Sequence, residues 1–452
     1  MNPHRTENDA LPASLKAWAE DGLQAQIVAS SLASGGNRCR GWGLEVRFAD
    51  GSAKKLFLRH QVHAAKGVEP FSPWREAEVY AALSGMGIPA PALILRHPQT
   101  QTIVTEFAEG DARYRDLSHM GERQAIAQQF VQSLARLHRL SPIAMPIPSL
   151  GVAGSVREAV VRELELWEAM YRETGQQDPH IEFALKWLRR NLPTYDGPAV
   201  LVHGDAGPGN FLFKDGRLTA LIDWELSHWG DPMEDLAWVS FRSVMEPVPD
   251  MPSLLKAYEA EAGTAVDRER IAYHRVFVSM RIVIIRLRNV SGLSGNSIVS
   301  NALNRRLLVE AIAAAEGWIL AEAGRLDAPP SDHTKLFNLV IDDMRAVLLP
   351  AVGPGSAATA AKDAAKTLKY LRNCERYGAA VEARERAVVS NLLRQDVPTA
   401  EEGRSRFAQA IKSDQVDPRT ALEALSVISA NVTQLAADSM GQLARRHFPP
   451  LV

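Results

Sequence analysis

Residues 201–232 read LVHGDAGPGNFLFKDGRLTALIDWELSHWGDP, two short apolar runs around a loop rich in glycine and polar side chains. The apolar runs have the length and composition of short strands. The Asp-Gly pair at 215–216 predicts a tight hairpin turn, which would bring Asp223 back beside Asn210. Because the loop glycines permit a sharply bent backbone, we expect Asp205, Asn210 and Asp223 to lie together.

The composition excludes some kinds of partner and of metal site. The 452 residues are 46% hydrophobic and 23% charged, which allows two or three domains with cores of their own. Because 51 basic residues nearly balance 53 acidic ones, the chain has no general basic field for nucleic acid or an anionic membrane. Cys39 and Cys374 are the only cysteines, which excludes a disulfide framework and a thiolate zinc site.

No stretch of the sequence predicts a secreted or membrane-bound protein. Residues 1–22 form an N-terminal segment with acidic residues and without an apolar signal core. The most apolar stretch, 276–287, is short and contains two arginines, so it predicts a buried helix rather than a membrane span. Together with the low cysteine content, these features favour a soluble protein in the reducing cytoplasm.

The spacing of apolar residues divides the rest of the chain into three predicted domains. Residues 23–108 are rich in strand patterns and form a predicted N-lobe. Residues 109–326 have helical periodicity, except for the quoted stretch, and form a predicted C-lobe. A break containing proline and aspartate opens an all-helical domain, 327–452. Its helices are expected to present apolar faces at 340–348 and 425–435.

Three polar residues of the quoted stretch fit the requirements of phosphoryl transfer from ATP. That reaction needs a carboxylate beside the attacking hydroxyl and oxygen ligands for magnesium. Protein kinases supply an aspartate, an asparagine five residues later and a second aspartate on the next strand, and Asp205, Asn210 and Asp223 have this order. The alternative is a surface hairpin whose polar residues only make turns. The flanking strands and the neighbouring His-Gly and Asp-Trp-Glu sequences favour the kinase site.

The sequences HGDAGPGNFLF (203–213) and LIDWELSHWGDPMEDLAW (221–238) resemble the phosphotransferase family of aminoglycoside and choline kinases. Within that family they are similar to the kinase domains linked to acyl-CoA dehydrogenases, over roughly residues 20–320. The resemblance implies an α+β, two-lobed protein-kinase-like fold. A small, mostly β N-lobe would bind nucleotide and a larger, mostly α C-lobe would carry catalysis, followed by the all-α C-terminal domain. The implied cofactors are ATP and Mg.

The resemblance assigns roles to five residues in and after the loop. Asp205 corresponds to the catalytic base, and Asn210 and Asp223 correspond to the magnesium ligands. His203 and Asp235 correspond to supporting residues. His203 would hold the loop by hydrogen bonds, and Asp235 would support it from a helix.

The N-lobe would supply the nucleotide contacts. A glycine-bearing loop between two strands suits the ATP phosphates, and a strand arginine paired with a helix glutamate would replace the lysine–glutamate pair of protein kinases. The backbone at the end of a later strand would hold adenine. The residues that the resemblance assigns to nucleotide binding are Ser34, Gly35, Gly36, Asn37, Arg59, Glu76, Glu106, Phe107 and Ala108.

The sequence defines the phosphate acceptor less closely. The basic stretches 281–289 and 304–308 of the helical lobe would suit either an anionic substrate or exposure to solvent. We expect phosphorylation of a hydroxyl group of a small organic molecule, such as a hydroxyacyl-CoA or an aromatic or phenolic compound. The alternatives are an aminoglycoside-type antibiotic kinase and a pseudokinase scaffold acting through its C-terminal domain. That domain would also be the place for a homodimer contact or a partner subunit.

Overall fold

The structure is a computed structural model that describes residues 10–35, 38–289, 294–353 and 355–452. Its contacts group the chain into two compact units. Unit 1 consists of residues 1–162, 194–267 and 450–452. Unit 2 consists of residues 163–193 and 268–449. The predicted domain boundaries stay predictions, because a grouping of contacts does not by itself define parts that fold alone.

Unit 1 begins with a helix and a five-stranded antiparallel sheet. The helix is α1 (Ala13–Leu23), and the strands are β1 (Ala25–Gly35), β2 (Cys39–Phe48), β3 (Ala53–Gln61), β4 (Leu93–Arg96) and β5 (Thr102–Glu106). Hydrogen bonds order the strands β1-β2-β3-β5-β4. The region predicted to be rich in strands therefore forms one sheet, in which consecutive strands are mostly neighbours.

One face of this sheet carries the N-terminal core. Leu56 and Leu58 of β3 belong to a buried apolar cluster that also contains Leu15 of α1. Because side chains alternate between the faces of a strand, Arg59 points away from this cluster. Helix α1 was not predicted from the sequence, where residues 1–22 were treated only as an N-terminal segment.

Helix α2 (Pro73–Leu83) packs beside the sheet and begins at a serine cap. The Ser72 hydroxyl accepts a hydrogen bond from Arg75 N at 3.3 Å, and the proline at the first helical position needs no hydrogen-bond acceptor. The cap fixes where the helix starts. It thereby places Glu76 in the first turn, where this carboxylate is only 1% exposed.

The quoted stretch forms short strands between the helices of unit 1. These elements are α3 (Met120–His138), β6 (Val200–Val202), β7 (Phe211–Lys214), β8 (Arg217–Leu221), β9 (His228–Gly230), α6 (Pro232–Met245) and α7 (Met251–Ala262). Strand β6 pairs with β9, and β7 pairs with β8, both antiparallel. Asp215 and Gly216 have φ angles of 50° and 72° and make the predicted hairpin turn between β7 and β8.

Unit 2 contains only helices in its described residues. They are α4 (Val156–Arg172), which starts in unit 1, α5 (Pro179–Arg190), α8 (Arg268–Arg288), α9 (Gly295–Glu316), α10 (Thr334–Asp343), a π-helical turn (Met344–Leu348), α11 (Leu349–Val352), α12 (Ser356–Leu393), α13 (Ala400–Lys412) and α14 (Pro418–Met440). Helix α9 packs against α8, α12 and α14, and α13 packs against α5. The helices after residue 327 thus share a compact unit with helices that precede it.

The two apolar faces predicted near the C-terminus differ in burial. Leu425 and Ile428 are buried, as their face predicts. Val347 and Leu348 are 59% and 47% exposed, so the other face is not part of the core. Periodicity identifies an apolar face but cannot tell whether another element covers it. Among the described helices, none is both long enough and apolar enough to cross a membrane, and both cysteines are free.

A buried ion pair joins α5 to α9 within unit 2. Asp178 caps α5 by accepting a hydrogen bond from His180 N at 2.9 Å, and its carboxylate also binds the Arg305 guanidinium, with Nη1 3.0 Å from Oδ1. His180 Nε2 lies 2.9 Å from the Ser429 hydroxyl of α14. Burial alone would raise the pKa of Asp178, but the charge and hydrogen bonds of Arg305 and His180 together outweigh burial and hold this pKa well below its usual range.

Arg305→Met is expected to lower the free energy of unfolding by about 3–5 kcal/mol, because it leaves the buried Asp178 carboxylate unpaired. The depressed pKa of Asp178 stabilises the fold above the unfolded-state pKa of about 3.9, and this stabilisation is lost as the pH falls further. Urea titrations should therefore show the difference from wild type narrowing below about pH 4. Arg419→Met removes an exposed pair with Glu423 and should cost less than about 1 kcal/mol. Equal losses in the two variants would contradict the prediction.

Candidate active site

The loop that follows β6 contains glycines at positions where a side chain would be strained and crowded. Gly204 has φ of 78°, and a Cβ atom there would lie 2.2 Å from the Leu226 carbonyl oxygen. Gly207 has φ of 147°, and a Cβ atom there would lie 2.8 Å from the side chain of Arg242. The glycines thus allow close packing against the turn at Trp224–Leu226 and against α6, as well as a bent backbone.

The loop holds Asp205 and Asn210 together through the asparagine amide. Asn210 Nδ2 donates to the Asp205 backbone oxygen and to Asp205 Oδ2, both at 2.8 Å. These bonds fix which end of the amide is the nitrogen. Asn210 Oδ1 makes no hydrogen bond to the described residues, so the oxygen end of the amide is available for a ligand.

The β7–β8 hairpin returns Asp223 to this place, as the sequence predicts. Ile222 N donates to the Asn210 backbone oxygen at 3.0 Å, which sets the two segments side by side. Asp223 follows with φ of 67°, a left-handed backbone that is uncommon for aspartate. The three predicted residues Asp205, Asn210 and Asp223 therefore belong to one site.

Arg59 binds three carboxylates with three different nitrogens. Nη1 lies 2.8 Å from Asp223 Oδ1, Nη2 lies 2.7 Å from Glu225 Oε2, and Nε lies 3.4 Å from Glu76 Oε2. The predicted contact with Glu76 is present, although it is the longest of the three. The contacts with Asp223 and Glu225 were not predicted, because they join residues far apart in the sequence.

These contacts shift the two carboxylates beside Arg59 in opposite directions. Burial alone would raise the pKa of Asp223, but the charge and hydrogen bond of Arg59 reverse this and lower it. Burial raises the pKa of Glu225, and the negative charge of Asp223 raises it further. Asp223 is therefore the member of the pair that Arg59 holds ionised.

Asp235 and His203 hold the loop, in the positions that the predicted supporting roles require. The Asp235 carboxylate accepts hydrogen bonds from His203 N at 2.8 Å and from Gly204 N at 2.9 Å. His138 Nε2 lies 3.0 Å from the same carboxylate. The ring of His203 donates through Nε2 to the Ile222 carbonyl at 2.9 Å, so it ties the loop to the strand before Asp223.

Arg242 is a site residue that sequence reasoning missed. Its Nε donates to Asp205 Oδ1 at 2.7 Å, its Nη2 donates to Asp205 Oδ2, and its Nη1 donates to the Pro208 carbonyl at 3.2 Å. It stands seven positions after Asp235, which places both side chains on the same face of α6. That spacing is the signal that could have found it.

The predicted nucleotide contacts are only partly described. Ser34 and Gly35 end β1, where their backbones pair with Gly41 and Arg40, while Gly36 and Asn37 lie outside the described residues. Their assignment to the phosphates stays a prediction.

The strand end predicted to hold adenine has two of its three N–H groups in use. Glu106 N donates to the Ala92 carbonyl at 2.9 Å, and Phe107 N donates to the Lys55 carbonyl at 3.4 Å. Ala108 N makes no hydrogen bond to the described residues and remains the available donor. An open pocket of about 570 Å³ lies there, within the size range of ligand sites. Its lining includes Phe107 and Phe213.

The donor set fits a magnesium ion that is shared with phosphates. The described residues hold no group of three or more His, Cys, Asp or Glu side chains suited to a metal, so a site made by protein side chains alone is not indicated there. Magnesium needs only one or two carboxylates when phosphates complete its shell. Asp223 Oδ2 and Asn210 Oδ1 are oxygen atoms without a hydrogen bond to the described residues, as such a shared ion requires.

Two arginines of the basic stretches, Arg281 and Arg305, pair with carboxylates inside unit 2. Arg281 is 2% exposed, lies 4.0 Å from the centre of the Phe277 ring and is 3.6 Å from Glu163. Arg305 binds Asp178. Neither side chain is a solvated surface charge or an unpaired cation. For these two arginines, neither of the two sequence-based interpretations, contact with an anionic substrate or exposure to solvent, is correct.

Two curated proteins are similar to part of this chain. Human acyl-CoA dehydrogenase family member 11 is 35% identical over 178 residues, which cover 37% of this chain and 22% of that protein. Mouse acyl-CoA dehydrogenase family member 10 is 29% identical over 205 residues, 43% of this chain and 18% of that protein. The chain therefore spans about a fifth of the length of these curated relatives.

A solved structure has the same fold over two thirds of the chain. It is a Ralstonia eutropha protein assigned provisionally to the aminoglycoside phosphotransferases, with a TM-score of 0.52 and 20% identity. The match covers 67% of this chain and 98% of the other. It confirms the predicted two-lobed kinase-like fold, and the remaining C-terminal part is all helical, as predicted.

The family comparison covers the candidate site except for the predicted phosphate contacts at 34–37. The model of the phosphotransferase enzyme family, APH, matches residues 41–274, more than half of the chain. This range includes Arg59, the loop with Asp205 and Asn210, Asp223, and helix α6 with Arg242. The resemblance predicted from the sequence is confirmed, and the chain belongs to the phosphotransferase enzyme family.

Proposed function

We propose that the protein transfers the γ-phosphoryl group of ATP to a hydroxyl group of a small organic molecule. The observation that carries the proposal is the meeting of Asp205, Asn210 and Asp223 at one place, with Arg59 bound to Asp223. A pseudokinase scaffold would have no use for this complete set of oxygen donors. The cytoplasmic location and the absence of nucleic-acid and membrane partners stay predictions.

Asp205 would act on the acceptor. Its carboxylate would accept the hydrogen bond of the acceptor hydroxyl and take its proton while the hydroxyl oxygen forms a bond to the γ-phosphorus. The bond between that phosphorus and the oxygen of the ADP leaving group breaks at the same time. The fixed contacts of Asp205 hold the carboxylate ready before the substrate arrives, which lowers the cost of orientation.

Asn210, Asp223 and Arg59 would act on the phosphates. Asn210 Oδ1 and Asp223 Oδ2 would hold a magnesium ion, which supplies positive charge against the phosphate oxygens. Arg59 lies beside Asp223 and would add a second positive charge near the phosphates. Because Arg59 is already held by its carboxylates, little side-chain freedom would be lost when the nucleotide binds.

The acceptor class is the least constrained part of the proposal. A hydroxyacyl-CoA is suggested by the acyl-CoA dehydrogenase names of the curated relatives. The arginines Arg281 and Arg305 no longer support an anionic acceptor, because both are paired inside unit 2. We therefore propose the broad class, a small hydroxyl compound, and keep the hydroxyacyl thioester and the phenolic compound as candidates within it.

Asp223→Ala is expected to weaken MgATP binding by about 30- to 150-fold, because a charged hydrogen-bonding group contributes about 2–3 kcal/mol. Thermal-shift titration with ATP in magnesium and in EDTA measures this. Asp116→Ala, which removes an exposed carboxylate of unit 1, should leave the titration unchanged. If magnesium-dependent stabilisation survives in Asp223→Ala, the ligand assignment is wrong. If wild type is not stabilised by MgATP, the ATP-dependent function is wrong.

A further inference from the structure

We propose that Arg242 is a positioning residue that orients Asp205 for the acceptor hydroxyl. The inference rests on the proposed function, because it gives Asp205 the role of accepting the hydroxyl proton. It concerns a residue of α6 that lies far from the loop in sequence and has no part in the motif.

The geometry is that of a two-point clamp. Arg242 Nε and Nη2 bind the two different carboxylate oxygens of Asp205, and Nη1 binds the Pro208 carbonyl. A guanidinium that bridges both oxygens fixes the plane of the carboxylate as well as its position. A single-point contact would leave the carboxylate free to rotate.

Counting acceptor positions shows what the clamp leaves open. The two oxygens of an ionised carboxylate offer about four lone-pair positions. On Asp205, Oδ2 accepts from Arg242 and from Asn210 Nδ2, whereas Oδ1 accepts from Arg242 alone among the described residues. The remaining position is therefore on Oδ1. We assign it to the acceptor hydroxyl, and the 17% exposure of the Asp205 side chain leaves room for access.

The loop is built to admit this arginine. A Cβ atom at Gly207 would lie 2.8 Å from both Cβ and Cδ of Arg242, and one at Gly209 would lie 3.4 Å from its Nη1. Side chains at these positions would crowd the guanidinium and its stem. The glycines on either side of Pro208 thus leave space for the Arg242 side chain, in addition to letting the chain bend.

Helix α6 holds the loop at two places. Asp235 binds the backbone at His203 and Gly204, where the loop begins, and Arg242 binds Asp205 and Pro208 further along. Residues seven apart lie two turns, about 10 Å, apart on one face of a helix. A single rigid element therefore sets the whole loop.

The test compares Arg242→Lys and Arg242→Met with wild type in ADP release from MgATP, with water as the acceptor. Lysine keeps the charge but lacks the planar pair of nitrogens that binds the two oxygens side by side. We expect kcat to fall by about 100-fold in Arg242→Met, as a misplacement of about 1 Å can cause. The loss in Arg242→Lys should be intermediate, and KM for MgATP should change by less than threefold in both. Arg136→Met, which breaks an exposed pair with Glu261, is the matched control and should keep wild-type values.

The possible outcomes distinguish the role of Arg242 from the proposed function. Wild-type kcat in both Arg242 variants would overturn the inference and leave the proposed function intact. A loss in KM with unchanged kcat would also overturn it, because nucleotide binding rather than Asp205 would then depend on Arg242. A wild-type protein that neither binds nor hydrolyses MgATP would overturn the proposed function.

A crystal structure of Arg242→Lys tests the positioning without any turnover. We expect the Asp205 carboxylate to rotate away from its wild-type plane or to become disordered, while the backbone of the loop keeps its course through the Asp235 contacts. An Asp205 carboxylate unchanged in this variant would overturn the inference.

Discussion

Replacing Asp205 by asparagine is expected to lower kcat by about 10²- to 10⁴-fold, the usual contribution of a positioned general base. The amide keeps the size of the carboxylate but cannot take a proton. It would also face Arg242 with one nitrogen donor in place of an acceptor, so the clamp on this side chain would be weakened. Both effects act on the acceptor side of the reaction.

The affinity for MgATP should change by less than about threefold in the same variant, because Asn210 and Asp223 keep their free oxygens. Steady-state ADP release measures kcat, and calorimetric titration with MgATP measures affinity. Asp196→Asn makes the same chemical change at an exposed position of unit 1 and serves as the control. Undiminished turnover in Asp205→Asn would refute the base assignment.

Deleting residues 327–452 is expected to abolish cooperative folding of what remains of unit 2. Helix α9 packs against α8 but also against α12 and α14, so the deletion would uncover part of its buried surface. Fully exposing even four large apolar side chains costs about 6–12 kcal/mol, comparable with the stability of a typical domain, about 5–15 kcal/mol. The buried His180 would also lose its contact with Ser429.

Thermal and urea unfolding of the shortened chain test this. We expect aggregation, or a transition with a lower midpoint and a smaller dependence on urea, because less surface is buried. A shortened chain that keeps the wild-type midpoint would contradict the expectation. It would instead support the sequence-based prediction that residues 327–452 form a domain of their own.

The sequence allowed the centre of the site to be predicted because its parts are close in the chain. The spacing of Asp205 and Asn210 and the Asp-Gly turn at 215–216 are local features, and each determines local geometry. The structure therefore has this loop and hairpin as predicted.

Contacts between distant residues could not be predicted in this way. Arg59 and Glu225 are separated by 166 positions, and Arg242 and Asp205 by 37, and no local pattern reports such pairs. The exposure of the apolar face at Val347 could not be predicted for a related reason. Periodicity is a property of one helix, whereas burial depends on the elements that pack against it.

The way Arg59 is bound has a consequence for exchanging nucleotide-binding segments between relatives. An ammonium group lacks the three separated nitrogens of a guanidinium, so an Arg59→Lys protein is not expected to keep the contacts with Glu76, Asp223 and Glu225 in their present geometry. Glu225 would then keep only its longer contact with Arg38, at 3.9 Å, beside the proposed site of the triphosphate. Residue 59 and Glu225 are therefore best exchanged together: a lysine at 59 is matched by glutamine at 225, whereas lysine alone would leave the Glu225 carboxylate less well compensated beside the phosphates.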